Sequence, residues 1–594
     1  MPKSVGHLEL PDMLIIVGYF VLMLGIGAYF YNRMRHIKDY FSGGNNIPWW
    51  LSGVSFYMSS FSVAAFVFYP GLCYRHGWVG VTLLWVAIPA TIFSVTLFAV
   101  RWRRARIDSP VEYIETRYSP FLRQLFAWHG VPVKLVDDGI KLFATGTFIS
   151  VCTGLRIEYS VLAAGGIILI STFLGGLWAV TVTDFIQFVV LMAGVLILLP
   201  LSISRAGGLE KIFSTAPEGF FRPTSEEFGW SYVIPVILLY ALAWSSINWS
   251  LIQRYYCVPK EKDALKVGWT VVALYVIGPP LMFFPAIAAN QFIPGVEDAG
   301  HIYPLLCTQL LPAGMLGLIV AAMFAATMST LSSDYNVCAS VLTNDVYRRL
   351  FHPQASQREL VQVGRVMTIV FGLFALGVGL LMSRGKSEDL FRTMVTLFGL
   401  ATAPVAIPML LGLVSRRMNN AGAVIGCLAG LAAGLTLFAI KSYDGFFRSQ
   451  FASLPFSMDW LFSRDDEILL RGLAIKMEIV YLLLTSTVTL LFMSVISWLK
   501  PATAEAQERT DAFLKRAHTP IGQLPEDSLP VEKKDIFSPF RVVGVAVLCI
   551  GVLLLAVLPW ISGRTELLLA GGVGLLLAIV GGAVAWGSKP KPAA

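Results

Sequence analysis

The chain is poor in charge. Asp, Glu, Lys and Arg make up only 14% of its 594 residues, against 56% hydrophobic, which excludes a solvated or disordered polypeptide and most soluble domains. Histidine and cysteine are scarce as well, at seven each. The cysteines (73, 152, 257, 307, 338, 427 and 549) lie in or beside apolar runs without metal-ligand spacing. Neither a disulfide framework nor a zinc site follows, and they define no compartment. No His-x-x-x-His or Gly-x-Ser-x-Gly occurs within an apolar run, so an intramembrane enzyme would lack its nucleophile or metal pair. The formal charge of +8 sits in short basic clusters between apolar runs, a pattern that sets membrane topology rather than a nucleic-acid face.

What abounds is apolar runs of membrane length. Spans are expected near 13–31, 48–72, 79–100, 128–153, 159–177, 180–203, 231–253, 266–291, 311–343, 361–383, 389–414, 420–441, 476–498, 538–561 and 565–587, fifteen in all. The first lacks a small-x-small cleavage motif and reads as a retained helix. Basic residues fall in alternate connections: Arg33, Arg35 and Lys38; Arg101, Arg103, Arg104 and Arg106; Arg254, Lys260, Lys262 and Lys266; Arg348, Arg349, Arg358 and Arg365; Arg416 and Arg417. The positive-inside rule makes those connections cytoplasmic, with the N-terminus outside and the C-terminus inside a plasma (cell inner) membrane. Residues 499–537 read as a charged cytoplasmic linker to a two-helix appendage, 538–594, outside the working core.

Three departures from hydrophobicity suggest a transporter. In "PWWLSGVSFYMSSFSVAAFVFYPGL", residues 48–72, a glycine and several serines weaken a membrane helix near its middle. Freed carbonyls at such a break make a cation site; a kinked helix with serines bonded to their own carbonyls is the alternative. In "AATMSTLSSDYN", residues 325–336, five Ser and Thr hydroxyls share an apolar run. Ser329 and Ser333, and Ala326 and Thr330, are one helical turn apart, gathering neutral oxygens suited to a small hard cation. Small residues for close helix packing would look the same. Third, Asp184 in "WAVTVTDFIQFVVLMAGV" is an ionisable residue inside a span, at the inner depth expected for Ser332 and Ser333. No carboxylate neighbours Ser329 or Thr330 in sequence, which favours sodium over protons as the driving ion.

These residues carry a resemblance. "GGNNIPWWLSGVS", "GGLWAVTVTDFIQ", "NWSLIQR", "AAMFAATMSTLSSDYNVCASVLTNDVYRR" and "LVSRRMNNAGAVIG" resemble the sodium:solute symporter family, across about 10–440. The resemblance implies an all-α polytopic membrane protein with a LeuT-like five-plus-five inverted repeat. Its repeats would be 48–203 and 231–414, after an N-terminal segment 1–47, separated by an extracellular loop 204–230 and followed by two additional helices in 415–498. It implies a central sodium site from Met58, Phe61 and Ala326 carbonyls with Ser329 and Thr330 hydroxyls. A second sodium, present in some members, would use Ser329, Ser332, Ser333 and Asp184. The function implied is symport of sodium with a small organic solute in the lipid bilayer, by alternating access and with no enzymatic step; a transporter-like sensor or a proton-coupled carrier is the alternative. Sugar-carrying members place polar side chains where this chain resembles Ala65, Leu84, Ala241 and Val395, a departure from a galactose-type pocket. Ser60, Ala64, Ala65, Trp244, Trp249, Val395 and Thr396 are the candidate solute contacts. Lys134, Asp137, Asp138 and Lys141 add four charges to one core helix, with Lys134–Asp138 and Asp137–Lys141 expected to pair at i,i+4.

Overall fold

The computed structural model of the chain describes residues 8–31, 43–60, 62–107, 110–171, 177–312, 314–384, 389–443, 467–470, 473–528 and 539–587. Its first helix, α1 (Leu10–Tyr31), is pinned by an acid. Asp12 is buried, and its Oδ1 accepts the backbone N–H groups of Gly314 and Gly317 at 2.8 and 2.7 Å. Those two donors belong to the start of a distant helix, Met315–Val341. A carboxylate there satisfies N–H groups that no helical carbonyl can reach, and it complements the helix dipole.

Two sets of five helical units follow. The first comprises α2 (Trp49–Ser59) with α3 (Val63–His76), α4 (Val79–Arg104), α6 (Pro120–Thr153), α7 (Ile157–Ser171) and α8 (Leu177–Arg205), with a short α5 (Pro110–Arg117) between α4 and α6. After α9 (Leu209–Thr215) the second set comprises α10 (Trp230–Ile247) with α11 (Trp249–Tyr256), α12 (Glu261–Ala289), α14 (Met315–Val341), α15 (Gln357–Met382) and α16 (Asp389–Val414); α13 (Ile302–Leu310) lies between α12 and α14. Each set opens on a broken helix. α2 and α3 meet at a 63° bend. α10 ends in a π-helical turn, Ala243–Ile247, before Asn248 leaves helical geometry at φ −80°, ψ 81°. Matching breaks in the opening helices of two repeats mark the site of a secondary transporter.

Beyond the repeats lie α17 (Asn420–Ser442), the hairpin β1 (Glu467–Leu470) and β2 (Leu473–Lys476), α18 (Met477–Leu499), α19 (Ala504–His518), α20 (Pro539–Ala556) and α21 (Arg564–Gly587). Among the described residues twelve helices are long and apolar enough to cross a membrane, or fourteen with each bent pair as one span. The expected fifteen is not reached. The difference is α7, which pairs with α6 across a 119° bend; residues 172–176 of the expected span 159–177 lie outside the described residues.

The described part of the segment expected as a linker, residues 499–528, is folded. Thr503 caps α19, and Phe513, Leu514 and Ala517 are buried. Arg117 donates to Thr510 Oγ1 at 3.0 Å and to the carbonyls of Gly412, Ser415 and Met418. Arg106 forks onto Asp527 at 2.7 and 2.8 Å and also bonds the Arg516 and Thr519 carbonyls. The Arg106 guanidinium holds the Asp527 carboxyl well below the usual carboxylate range. The appendage is docked too: α20 packs on α1 and α8, and Phe540 lies 4.9 Å from the ring of Trp50 in α2. α20 and α21 approach so closely that a Cβ on Gly581 would sit 2.3 Å from the Leu548 nitrogen, the small-residue packing common in membranes.

Candidate cation and solute site

α14 presents the hydroxyl-rich stretch to the first broken helix and to α8. On it the Ala326 carbonyl accepts from Thr330 Oγ1 at 3.1 Å, so these two expected ligands already lie together. Across from them α2 stops at Ser59, and the Ser60 N–H turns back onto the carbonyls of its last turn, Phe56 at 3.1 Å and Tyr57 at 3.2 Å. Ser60 closes the end, donating its hydroxyl to the Tyr57 carbonyl at 2.6 Å. Phe61 and the side chain of Ser333 lie outside the described residues.

Asp184 is 3% exposed, not a solvated acid at the membrane surface. Its Oδ1 faces Ser329 Oγ at 3.4 Å. Ser329 therefore does have a carboxylate neighbour, brought from a helix 145 positions away, which spacing along the chain could not reveal. Its other oxygen, Oδ2, accepts from Ser55 Oγ at 2.5 Å and Ser59 Oγ at 3.4 Å. Arg254 Nη2 stands 3.5 Å from the same Oδ2, and Arg254 Nε donates to Ser55 Oγ at 2.9 Å. Arg254, expected among the basic residues of a connection, is 2% exposed and belongs to this site. Ser332 is half-buried on α14, and among the described residues no hydrogen bond joins it to Asp184.

The solute candidates divide. Ser60 bonds the Tyr275 hydroxyl, and the Trp244 ring lies 5.5 Å from Tyr275. Tyr57 meets the same ring at 4.9 Å, and Tyr240 meets Trp244 at 5.1 Å. Ser60 and Trp244 thus share an aromatic cluster centred on Tyr275, a residue that pattern and spacing do not single out. Its one signal is a phenol alone in the apolar run "VVALYVIGPP". Val395 is buried and Thr396 half-buried on α16, which packs against the π-helical turn carrying Trp244. Ala64 and Ala65 are buried in α3, and Trp249 is half-buried at the start of α11.

A second buried charge group lies between α6 and α14. Lys141 Nζ reaches Asp137 at 2.8 Å, Asp138 at 3.1 Å and Asp334 at 3.0 Å. Lys134 pairs with Asp137 at 3.4 Å and Asp334 at 3.2 Å, not with Asp138 as its spacing suggested. The partner that changes the pairing is Asp334, one turn beyond Thr330. Two lysines facing three carboxylates tie α6 to the helix that carries the hydroxyls, and Thr145 Oγ1 adds a 2.9 Å bond to Thr327 Oγ1.

Two repeats that each open on a broken helix, with neutral oxygens and a buried acid at the first break, define a LeuT-type secondary transporter in a multi-pass membrane protein. The comparisons with known proteins narrow the class. A sequence model of the Sodium:solute symporter family matches residues 40–430, and the chain belongs to that family. It is 27% identical over 438 residues to the sodium/sialic acid symporter SiaT of Proteus mirabilis, covering 71% of this chain and 88% of that protein. It is 25% identical over 494 residues to the sodium/glucose cotransporter of Vibrio parahaemolyticus, covering 77% and 90%. A solved structure of a substrate-bound, outward-open sodium-coupled sialic acid symporter matches with a TM-score of 0.65 at 22% identity, over 83% of this chain and 98% of that one. The expected fold class is borne out, and so is sodium-coupled symport, with sodium as the transported ion.

Proposed function

We propose that the protein imports a small organic solute together with sodium by alternating access, across a plasma membrane in which the Arg101–Arg106 side is cytoplasmic. On that reading the N-terminus is outside and the C-terminus inside, and 48–203 and 231–414 are the two repeats. The first sodium is held by the Met58, Phe61 and Ala326 carbonyls and the Ser329 and Thr330 hydroxyls. The second lies between Ser329, Ser332, Ser333 and Asp184. Ser60, Ala64, Ala65, Trp244, Trp249, Val395 and Thr396 bound the solute.

The observation that carries this reading is the 3.4 Å approach of Ser329 to Asp184 at the break between α2 and α3. Neutral oxygens alone bind a cation weakly enough to release it, while one buried carboxylate makes a second cation tolerable. One sodium crossing about 100 mV gains ~2.3 kcal/mol, and a tenfold gradient adds ~1.4 kcal/mol, so two ions supply ~7.4 kcal/mol per solute. The test is uptake into sealed proteoliposomes of solutes of the kinds for which the relatives are named. An inward sodium gradient should drive uptake of at least one of them, and a pH gradient in choline should not. Equal uptake under the pH gradient alone would replace sodium with the proton.

A further inference from the structure

A cavity of about 620 Å³ opens along the outer half of α3, on the side away from Arg101–Arg106. Phe68, Arg75, His76, Glu227, Phe391 and Arg392 are among its lining residues. Its size suits a small organic molecule. Toward the centre of the protein it is floored by aromatic side chains, with Phe68 6.5 Å and Tyr69 5.9 Å from Phe391. Ala64, Ala65, Val395 and Thr396 lie about one helical turn further in along the same two helices, α3 and α16. The cavity is therefore a vestibule to the proposed solute site, shut off from it in this conformation.

The vestibule already holds a carboxylate. Glu227 reaches in from the connection before α10 and pairs with Arg392 at the start of α16, with His76 Nε2 at 3.6 Å at the end of α3, and with Lys476 at 3.9 Å. Its segment is seated by Phe228, a buried ring edge-on to His76 at 5.3 Å and to Tyr232 at 5.1 Å. Glu227 itself is a third exposed, so a solute in the cavity can reach its partners. Arg75 lines the same wall and donates to the Glu297 carbonyl at 3.0 Å. The His76 imidazole of α3 and the Arg392 guanidinium of α16 converge on Glu227, and those two elements flank the path inward; Lys476 of β2, 3.9 Å from Glu227, pairs more closely with Glu467 at 3.1 Å.

We propose that Glu227 occupies an anion subsite of this vestibule, and that the transported solute carries a carboxylate which displaces Glu227 from Arg392 and His76 on its way in. The proposal rests on the symport reading and names its substrate class. A planar guanidinium recognises carboxylates by paired charge-assisted hydrogen bonds, so it discriminates an acid from its ester. It also sets the two partners in opposition. Removing the Glu227 charge removes a competitor, whereas removing the Arg392 charge removes the recognition element. A salt bridge that merely fastened the loop would make both changes harmful alike.

The test follows thermal unfolding of the purified full chain in detergent, in sodium and in choline, with sialic acid and glucuronate as carboxylate probes and sialic acid methyl ester and glucose as their uncharged counterparts. In sodium, at least one acid should stabilise the protein and its counterpart should not. Glu227→Gln should tighten the apparent affinity for that acid about tenfold and Arg392→Gln weaken it about tenfold, the scale of one charged hydrogen bond. Three results overturn the proposal: uncharged counterparts binding as well as the acids, both substitutions moving affinity in one direction, or no acid binding to either the native chain or Glu227→Gln. Failure of sodium itself to stabilise the chain would count against the symport reading instead, and the acid–ester difference would still decide the vestibule.

Discussion

Asp184 and Arg254 stand 3.5 Å apart with both side chains buried, and the acid splits its oxygens between this cation and the α14 hydroxyls. Oδ2 is committed to Arg254, Ser55 and Ser59, while Oδ1 faces Ser329. The guanidinium is the buried counter-charge of the acid, and a sodium in the proposed second site, on the Oδ1 side, would compete with it for the same charge. Arg254→Gln should therefore destabilise the protein in sodium-free buffer, by about 3–5 kcal/mol for an uncompensated buried charge, and sodium should restore most of the loss. Thermal unfolding with sodium against choline checks this. An equal loss in both salts would make Arg254 a structural partner only.

Thr330→Ala removes one hydroxyl of the proposed first sodium site and leaves the Ala326 carbonyl in place. The half-saturating sodium concentration for stabilisation or uptake should rise about tenfold, the equivalent of ~1.4 kcal/mol, with little change in melting temperature in choline. A sodium titration that superposes on the native one would take Thr330 out of the site.

Lys141 serves three carboxylates and Lys134 two. Lys141→Met should consequently cost more stability than Lys134→Met, about 3–5 kcal/mol for a broken buried ion pair. Comparing the melting temperatures of the two variants in one detergent checks the order, and a larger loss in Lys134→Met would reverse it.

An appendage outside the working core would leave a chain ending near Leu499 with its binding sites intact. The packing of α19 and α20 changes that expectation. Truncation exposes the surfaces under Phe513 and Leu514, each worth about 1.5–3 kcal/mol when buried, and takes Asp527 from Arg106 and Thr510 from Arg117. Sodium binding by a truncated chain should persist only with a melting temperature lowered by several degrees. The single change Asp527→Asn should reproduce a fraction of that loss. The Asp527 carboxyl is depressed in the folded state, so its contribution is fully present above the unfolded carboxylate value of about 3.9 and is lost as pH falls through the lower folded value. The native-to-Asp527→Asn difference should accordingly stay constant from pH 5 to pH 8.

What can be read in the sequence is what stands out against an apolar background. The serines that break residues 48–72 and the hydroxyls of 325–336 are polar where a span needs hydrocarbon, so the broken helix and its facing helix are both legible. Arg254 is not, because a basic residue after an apolar run looks the same whether it faces water or a buried acid 70 residues earlier. α19 is illegible for a related reason: its charges read as those of a solvated linker until Arg106 and Arg117, about 400 residues earlier, appear as partners. The opening of α10 into a π turn leaves no compositional mark beyond "SSINW". The Asp334 contacts to Lys134 and Lys141 need the packing of α14 on α6, and so does the departure from i,i+4 pairing.

The most direct measurement of sodium coupling is equilibrium binding of radiolabelled sodium to the purified full chain, for the native protein, Thr330→Ala and Asp184→Asn. Two saturable sites are expected in the native chain, with Thr330→Ala weakening one and Asp184→Asn removing the other. A single site unaffected by Asp184→Asn would confine the ion to the helix break, and the absence of any saturable sodium binding would contradict sodium-coupled symport through these residues.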